Sequence, residues 1–372
     1  MLKRSGISAG SLVWVTHQSR VLSRNALGDP ARRQFPVWLP PQYEADSARS
    51  RRFPVLYCLA GYLGAGPGQV NWHPLDENVP QRVARLIEQR AMGPVILVFP
   101  DCYTALGGNQ YIDSSALGRY ATYLTQEIVP FIDATFRTLA AREHRGLFGK
   151  SSGGYGAFMH AAWYPQVWGA IANHSGDAGF DGLYRSDWPN TCDALARYRI
   201  PARVPGAPDW RGESPGLAQG RDDGRVARFL AHVWQSRKLS NEESHALMNL
   251  GMAATYDPDP RAPNGFRLPF HLETGELLPT RWARWLALDP VQVVHQPGVR
   301  QALKSLRLLY LDCGWRDQYH IHYGLRQVSR QLQKLKIPHQ YEEFDDTHSG
   351  IDYRHDTSLP LVYKALQPPR GT

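Results

Sequence analysis

Short apolar runs alternate along the chain with segments whose apolar residues recur at helical spacing. The runs that predict strands are 11–17, 34–40, 53–61, 94–101, 144–149, 168–176, 305–314 and 339–344, of which 94–101 is typical of a buried parallel strand. The helical patterns are 77–91, 115–136 (which Pro130 should kink or split), 154–164, 319–335 and 357–367. Strands interleaved with helices predict an α/β fold, with a mostly parallel central sheet and helices on both faces.

The alternation stops between residues 181 and 300. This segment is rich in Pro, Gly, Asp and Arg, and it contains helix-like stretches such as 225–238 and 241–254. Its tryptophans lie at 188, 210, 234, 282 and 285. We therefore expect a core made of 1–180 and 301–372, with 181–300 inserted as a cap or lid subdomain. Two alternatives stay open for the tryptophans: they line a substrate pocket, or they pack the small core of the insertion.

Two adjacent serines lie between glycines in the stretch GLFGKSSGGYG, 146–156. Ser151 is the centre of a Gly-x-Ser-x-Gly pattern, which marks the nucleophile of many hydrolases when it joins a strand to a helix. Ser8 is the centre of a second match, but no strand precedes it. The context therefore favours Ser151. The structural alternative is a glycine-rich turn with an N-capping serine.

A nucleophilic serine needs a histidine base and a carboxylate that orients this base. On an α/β sheet these residues should follow in the order Ser, Asp, His, and each should lie on a loop after a strand. Asp317 follows run 305–314, and His348 follows run 339–344. Less favoured candidates are Asp312, Asp345, Asp346 and His355, and a metal site built from His320 and His322 with Asp345 or Asp346 stays open.

The oxyanion of the reaction needs two backbone N–H donors. One is expected at Ser152, where the predicted helix begins and its dipole is positive. The other should follow the strand that ends at Leu59, and Tyr62 is the best candidate, with Leu63 second. The structural alternative for this second segment is a simple glycine turn.

The segments RFPVLYCLAGYLG, GGNQYIDS, GLFGKSSGGYGA, LDCGWRDQYHIHYG and FDDTHSG resemble the putative esterase group of the α/β hydrolases. This group includes esterase D-like enzymes, feruloyl esterases, enterochelin esterases and mycolyltransferases. The resemblance covers roughly 11–180 and 303–367, and implies Ser151 as nucleophile, Asp317 as acid and His348 as base. It departs from many members at Ala60-Gly61, where they carry His-Gly or Asp-Gly. Candidate substrate contacts are Gly61, Leu63, Asn109, Gln110, Tyr111 and Lys150, although loop structure is the preferred interpretation of 109–111.

Composition narrows the class of protein further. The 372 residues carry a net charge of +8, and the arginines are scattered rather than concentrated on one element. We therefore expect a solvated basic surface rather than a nucleic-acid interface. Four cysteines without a CxxC pair predict reduced, mostly buried thiols and neither a zinc site nor a disulfide framework. No apolar stretch resembles a signal peptide or membrane span, so a cytoplasmic location is the default expectation.

The expected function is that of a serine carboxylic-ester hydrolase. It would act on a small-molecule ester through an acyl-enzyme, with a Ser-His-Asp triad, a backbone oxyanion hole and no metal or organic cofactor. Three alternatives stay open: an acyltransferase with the same triad, a peptidase or amidase, and a non-enzymatic binding protein on a hydrolase scaffold. The sequence decides neither the identity of the ester nor whether the chain forms a homo-oligomer.

Overall fold

The computed structural model describes residues 10–46, 49–199 and 223–367. In these ranges the strands are β1 (Ser11–Gln18), β2 (Arg32–Leu39), β3 (Val55–Leu59), β4 (Ile96–Val98), β5 (Asp113–Ser114), β6 (Gly118–Arg119), β7 (Arg145–Lys150), β8 (Ala170–His174), β9 (Leu308–Gly314) and β10 (Gln340–Phe344). Eight of them form one sheet in the order β1-β2-β4-β3-β7-β8-β9-β10, and β5 and β6 form a separate pair. The contacts β1–β2 and β2–β4 are antiparallel. All other pairs in the large sheet are parallel, which confirms the predicted architecture.

Helices cover both faces of this sheet. In the described ranges they are α1 (Pro41–Ala45), α2 (Val79–Glu88), α3 (Tyr120–Thr122), α4 (Val129–Thr135), α5 (Ser152–Trp163), α6 (Phe180–Leu183), α7 (Trp188–Ala196), α8 (Arg225–Gln235), α9 (Asn241–Tyr256), α10 (Pro279–Leu286), α11 (Pro290–Val293), α12 (Val299–Lys304), α13 (Ile321–Lys334) and α14 (His355–Ala365). Successive strand residues point to opposite faces. Leu147 of β7 accordingly packs in the apolar cluster that contains residues of α5 and α13, and Phe148 packs in the one that contains residues of α2 and α14.

The segment between β8 and β9 is helical, and its described residues add no strand to the sheet. Its aromatic side chains pack on the core rather than apart from it. Phe180, Tyr184, Tyr256 and Trp285 form a chain of ring contacts that reaches Tyr155 of α5. The segment therefore shares one continuous apolar cluster with the sheet. Trp210 lies outside the described residues.

The predicted helix 115–136 begins later than its pattern indicated. The chain first forms the short pair β5–β6, and Asp113 accepts hydrogen bonds from the backbone and hydroxyl of Thr122. A π-helical segment, Tyr123–Ile128, then joins α3 to α4, where Pro130 lies in the first turn. Proline has no N–H to donate and its ring displaces a preceding carbonyl, so the wider turn is the expected irregularity.

The expectation of a solvated basic surface is wrong for several arginines. Arg33, Arg82, Arg145 and Arg225 are buried and paired with carboxylates. The cysteine prediction is confirmed for Cys58, Cys102 and Cys313, which are free and buried, whereas Cys192 is half-buried. In the described ranges no helix is both long and apolar enough to cross a lipid bilayer.

Candidate active site

Three side chains predicted from the sequence follow three strands of the sheet. Ser151 follows β7 directly, Asp317 lies just after β9, and His348 lies four residues after β10. The strands β7, β8, β9 and β10 are parallel neighbours, so their carboxyl ends meet at one edge. At this edge Ser151 and His348 line one cavity of about 460 Å³, and Asp317 lies behind His348.

The backbone at Ser151 has φ 57° and ψ −125°, which is unusual for a residue with a side chain. This sharp turn between β7 and α5 is the geometry of a nucleophile elbow. Glycine is required on both sides of it. A Cβ at Gly149 would lie 2.5 Å from the carbonyl oxygen of Leu59, and one at Gly153 would overlap the same oxygen. The end of β3 therefore passes too close for any larger residue.

The two adjacent serines have different surroundings. Ser151 stands at the N-terminus of α5 but makes no side-chain capping bond, which argues against the N-cap interpretation. The hydroxyl of Ser152 is buried and accepts a hydrogen bond from Gln110 Nε2 at 3.0 Å. Only Ser151 therefore presents its side chain to the cavity. Ser8 lies outside the described residues.

His348 and Asp317 form a buried pair. Nδ1 of His348 is 2.8 Å from Oδ2 of Asp317, and the other carboxylate oxygen accepts from the backbone N–H of Tyr319 at 2.8 Å. The ring of Tyr319 meets the imidazole edge-to-face at 4.9 Å between centroids. With Nδ1 facing the carboxylate, the proton is held on that nitrogen, and Nε2 is left as the basic atom.

The turn after β3 lies against the elbow. A Cβ at Gly61 would be 3.5 Å from the Cβ of Ser151, and Gly64 N–H donates to the carbonyl of Gly61 at 3.0 Å. Gly61, Tyr62 and Leu63 all line the cavity, as does Lys150. Ser152, the first residue of α5, carries a backbone N–H that needs no partner within the helix. The turn at Gly61 and the first turn of α5, which are expected to supply the oxyanion donors, thus both lie beside Ser151.

The predicted substrate residues 109–111 do not line the cavity among the described residues. All three are buried and hold the loop that follows β4. Asn109 Oδ1 accepts from the N–H of Tyr111, and the Tyr111 hydroxyl donates to the carbonyl of Ala60 at 2.6 Å. Gln110 donates to Ser152 and to Asp177. For these positions the structure favours the alternative of loop support.

The rival candidates have other partners. Asp312 is buried between His174, at 2.7 Å, and Arg354, at 3.0 Å. Burial raises the pKa of Asp312, but His174 and Arg354 outweigh it, and the pKa is lowered. His355 also lines the cavity, but its burial lowers its pKa well below the ordinary value. A histidine that resists protonation so strongly is a poor base.

Asp345 and Asp346 do not join the histidines of the proposed metal site. Asp345 pairs with Arg316 at 2.6 Å, and Asp346 accepts from the hydroxyl of Tyr353 at 3.1 Å. Within the described ranges no group of three or more His, Cys, Asp or Glu side chains could hold a metal ion.

Several cavity residues were not identified from the sequence. Asp177 lies just after β8, so the strand-end rule could have found it. Tyr184, His245 and Met248 come from the segment between β8 and β9, and no motif marks them. His245 lies 3.4 Å from Asp187, whose hydrogen bond raises the pKa of His245, and 3.5 Å from the hydroxyl of Tyr319.

Sequence comparison relates part of this chain to known esterases. Residues 30–181 match the family model described as "Putative esterase". Two curated relatives, Esterase MT1326 and Esterase Rv1288 of Mycobacterium tuberculosis strains, are 31% identical over 178 residues, which is 47% of this chain. The match spans 36% of the length of each relative.

Solved structures resemble the chain over nearly its whole length. A ferulic acid esterase superposes with a TM-score of 0.58 at 17% identity, covering 95% of this chain and 98% of its own. An S-formylglutathione hydrolase from Agrobacterium tumefaciens gives a TM-score of 0.55 at 15% identity, covering 98% of each chain. At these identities the similarity establishes the fold, which is that of the α/β hydrolases. The resemblance read from the sequence is confirmed by these matches.

Proposed function

We propose, from the match of residues 30–181 to the putative esterase family, that this protein is a serine hydrolase of carboxylic esters. The observation that carries the proposal is the pairing of His348 with Asp317 beside the cavity that Ser151 lines. Parallel strands bring many loop residues to this edge of the sheet, but the fold alone does not require a serine, a histidine and an aspartate in the order that this chemistry needs.

The proposed reaction begins with proton transfer. His348 Nε2 takes the proton of the Ser151 hydroxyl, and Asp317 stabilises the imidazolium that forms. The serine oxygen attacks the ester carbonyl, whose oxygen becomes negative and is bound by the backbone N–H groups of Tyr62 and Ser152. The intermediate collapses when His348 returns the proton to the departing alcohol. A second round, with water as the nucleophile, releases the acid and restores Ser151.

The segment between β8 and β9 is proposed to form a lid over the cavity that Ser151 lines. Leu183 and Tyr184, together with Asn241, Ser244, His245 and Met248 of α9, line the same cavity as Ser151. Of the five tryptophans that suggested an aromatic lid, Trp188, Trp282 and Trp285 are buried in the shared core, and Trp234 is exposed. A lid role for the segment therefore depends on α9.

A cytoplasmic location also stays a proposal.

The test is hydrolysis of p-nitrophenyl esters of increasing acyl length by the purified protein. We expect measurable turnover for the wild type and a loss of at least 10³-fold for Ser151→Ala. Ser8→Ala, the same chemical change in the rival motif, is the matched control and should retain full turnover. Turnover that persists in Ser151→Ala, or that disappears in Ser8→Ala, would contradict the assignment.

The same assay separates hydrolase from acyltransferase. With added acceptor alcohols, a hydrolase releases mainly the free acid, whereas an acyltransferase forms the new ester in preference. We expect the free acid to dominate at millimolar alcohol. Quantifying both products by mass spectrometry decides between them.

A further inference from the structure

Asp177 is a buried carboxylate in the wall of the candidate active site. It comes three residues after β8, is 4% exposed, and lines the same cavity as Ser151 and His348. The proposed ester hydrolysis gives it no task. A carboxylate in such a position is costly to bury unless a cation or several donors compensate it.

The contacts of Asp177 compensate only one of its two oxygens. Oδ2 accepts from Gln110 Nε2 and from the hydroxyl of Tyr184, both at 2.8 Å. Both donors are uncharged. Within the described ranges no lysine, arginine or histidine forms an ion pair with Asp177, and Oδ1 makes no hydrogen bond. Burial accordingly raises the pKa of Asp177, against the lowering effects of its two hydrogen bonds and of the charge on His348.

The position of Asp177 is fixed relative to the reacting groups. Gln110 Nε2 donates to the hydroxyl of Ser152 as well as to Asp177, so one amide group links the carboxylate to the residue after the nucleophile. The same cavity is lined by the apolar side chains of Leu183, Met248 and Ile321 and by polar side chains such as Ser244 and His245. A substrate group that enters this cavity meets Asp177 as a carboxylate acceptor.

The structural role of Asp177 does not require a carboxylate. An asparagine could accept both existing hydrogen bonds through its single carbonyl oxygen. What the carboxylate adds is a second acceptor, Oδ1, on the side where the protein supplies no donor.

We propose that Oδ1 of Asp177 binds a hydrogen-bond donor on the substrate, a hydroxyl or an ammonium group close to the scissile ester. This inference rests on the proposed function and names the substrate class within it: esters that carry a polar donor on the part bound beside Tyr184, rather than plain alkyl esters. A site built to accept a hydrogen bond discriminates strongly against the analogue that lacks the donor, because the buried acceptor is then left unpaired.

The test compares kcat/KM for matched esters. The first series varies the acyl group and consists of the p-nitrophenyl esters of butanoate, 3-hydroxybutanoate and 3-aminobutanoate. The second series varies the alcohol and consists of propyl butanoate and 2-hydroxyethyl butanoate. We expect the wild type to prefer a donor-bearing ester at least tenfold over its plain partner in one series. Comparison of the 3-amino ester with the 3-hydroxy ester then shows whether the site prefers an ammonium or a hydroxyl donor.

Asp177→Asn is the decisive variant, since it keeps the size and both internal hydrogen bonds but turns an NH₂ donor toward the cavity. We expect the preference to fall at least tenfold. Asp181→Asn, on the exposed side chain of α6, is the matched control and should keep the preference. A preference unchanged in Asp177→Asn would overturn the proposal.

The failures of the two proposals are distinguishable. If the wild type hydrolyses donor-bearing and plain esters equally well in both series, the role of Asp177 is refuted while the hydrolase assignment stands. That comparison does not depend on the folding of any variant. If the wild type hydrolyses no ester of either series, the proposed function fails first and the role of Asp177 fails with it.

Discussion

The hydroxyl of Tyr62 lies directly over Gly251. A Cβ at position 251 would overlap this hydroxyl oxygen, which also donates to the carbonyl of Leu106 at 2.6 Å. Gly251 belongs to α9, in the segment between β8 and β9, and Tyr62 belongs to the turn beside Ser151. The segment between β8 and β9 therefore packs against the turn that carries a proposed oxyanion donor, and a change in this segment is expected to move that turn.

Gly251→Ala is expected to lower kcat although it lies in a helix interior, where alanine is intrinsically favoured over glycine by about 1 kcal/mol. The added methyl group displaces the Tyr62 ring and with it the backbone N–H. The complete loss of one oxyanion donor costs roughly 10²–10³-fold in kcat, so a displaced donor should cost about tenfold or more. Steady-state kinetics together with thermal unfolding measure the two effects separately.

A second substitution tests the cause of this loss. Tyr62→Phe removes the hydroxyl that the new methyl group meets and leaves the backbone donor in place. Combined with Gly251→Ala, it should restore part of kcat. A double variant that is no better than Gly251→Ala would mean that the loss does not pass through Tyr62.

Gly153→Ala is expected to destabilise the protein by about 1–3 kcal/mol, since its methyl group would overlap the carbonyl of Leu59. Esterase activity should fall with it, because the clash moves the elbow. The matched control is Gly182→Ala in α6, where an added Cβ meets no atom within 4 Å. That variant should unfold at the wild-type denaturant concentration or slightly above it. Equal stability of both variants in urea would contradict the packing of β3 on the elbow.

Asp317→Asn is expected to reduce kcat by roughly 10⁴-fold at neutral pH while the fold is retained. The amide donates a hydrogen bond where the carboxylate accepted one, so it favours the wrong tautomer of His348. The comparison is Asp312→Asn, which alters the other buried carboxylate–histidine pair of this sheet edge. We expect that variant to lose stability while retaining far more specific activity. A reversed order would assign the catalytic role to Asp312 and His174.

His160 is expected to make the protein less stable in mild acid. The indole N–H of Trp168 donates to its Nδ1 at 3.1 Å, so the proton is on Nε2, which donates to the carbonyl of Tyr111 at 2.8 Å. Burial lowers the pKa of His160 from 6.5 to about 4. Between these values the unfolded chain binds a proton that the folded chain does not, so the free energy of unfolding falls as the pH falls.

His160 is expected to lower the free energy of unfolding by about 2 kcal/mol between pH 7 and pH 5. Urea unfolding at each pH measures this change. His160→Gln should be less stable than the wild type at pH 7 and should lose this part of the pH dependence. His295→Gln, at an exposed position, should keep it. If His160→Gln has the same pH dependence as the wild type, His160 is not the group responsible.

The placement of the three candidate residues at one edge of the sheet could be predicted from the sequence, because it depends on a local pattern and one general rule. The runs before Ser151, Asp317 and His348 are recognisable as strands, and parallel strands bring their carboxyl ends together. The glycines around Ser151 indicated the tight turn. The only further assumption was the order of the strands, which the chemistry of the triad itself suggested.

The remaining walls of the cavity could not be predicted in this way. Asn109 and Tyr111 are candidate substrate contacts from the sequence, with loop structure as the preferred interpretation. The chain directs them into the core, where Ala60 and the backbone of the loop bind them. His245 and Met248 reach the cavity because α9 packs across Tyr62, a contact between segments far apart in sequence. Such contacts leave no periodic pattern, and the segment has no motif that reveals its path.

The central claim is that Ser151 is a nucleophile activated by His348. The most direct measurement is labelling of the native protein with a fluorophosphonate, followed by tryptic digestion and fragmentation of peptide 151–185, which separates Ser151 from Ser152. We expect one phosphonate per chain, on Ser151, and no label in Ser151→Ala or after prior unfolding. A label on Ser152 or Ser8, or no label on the folded wild type, would contradict the account.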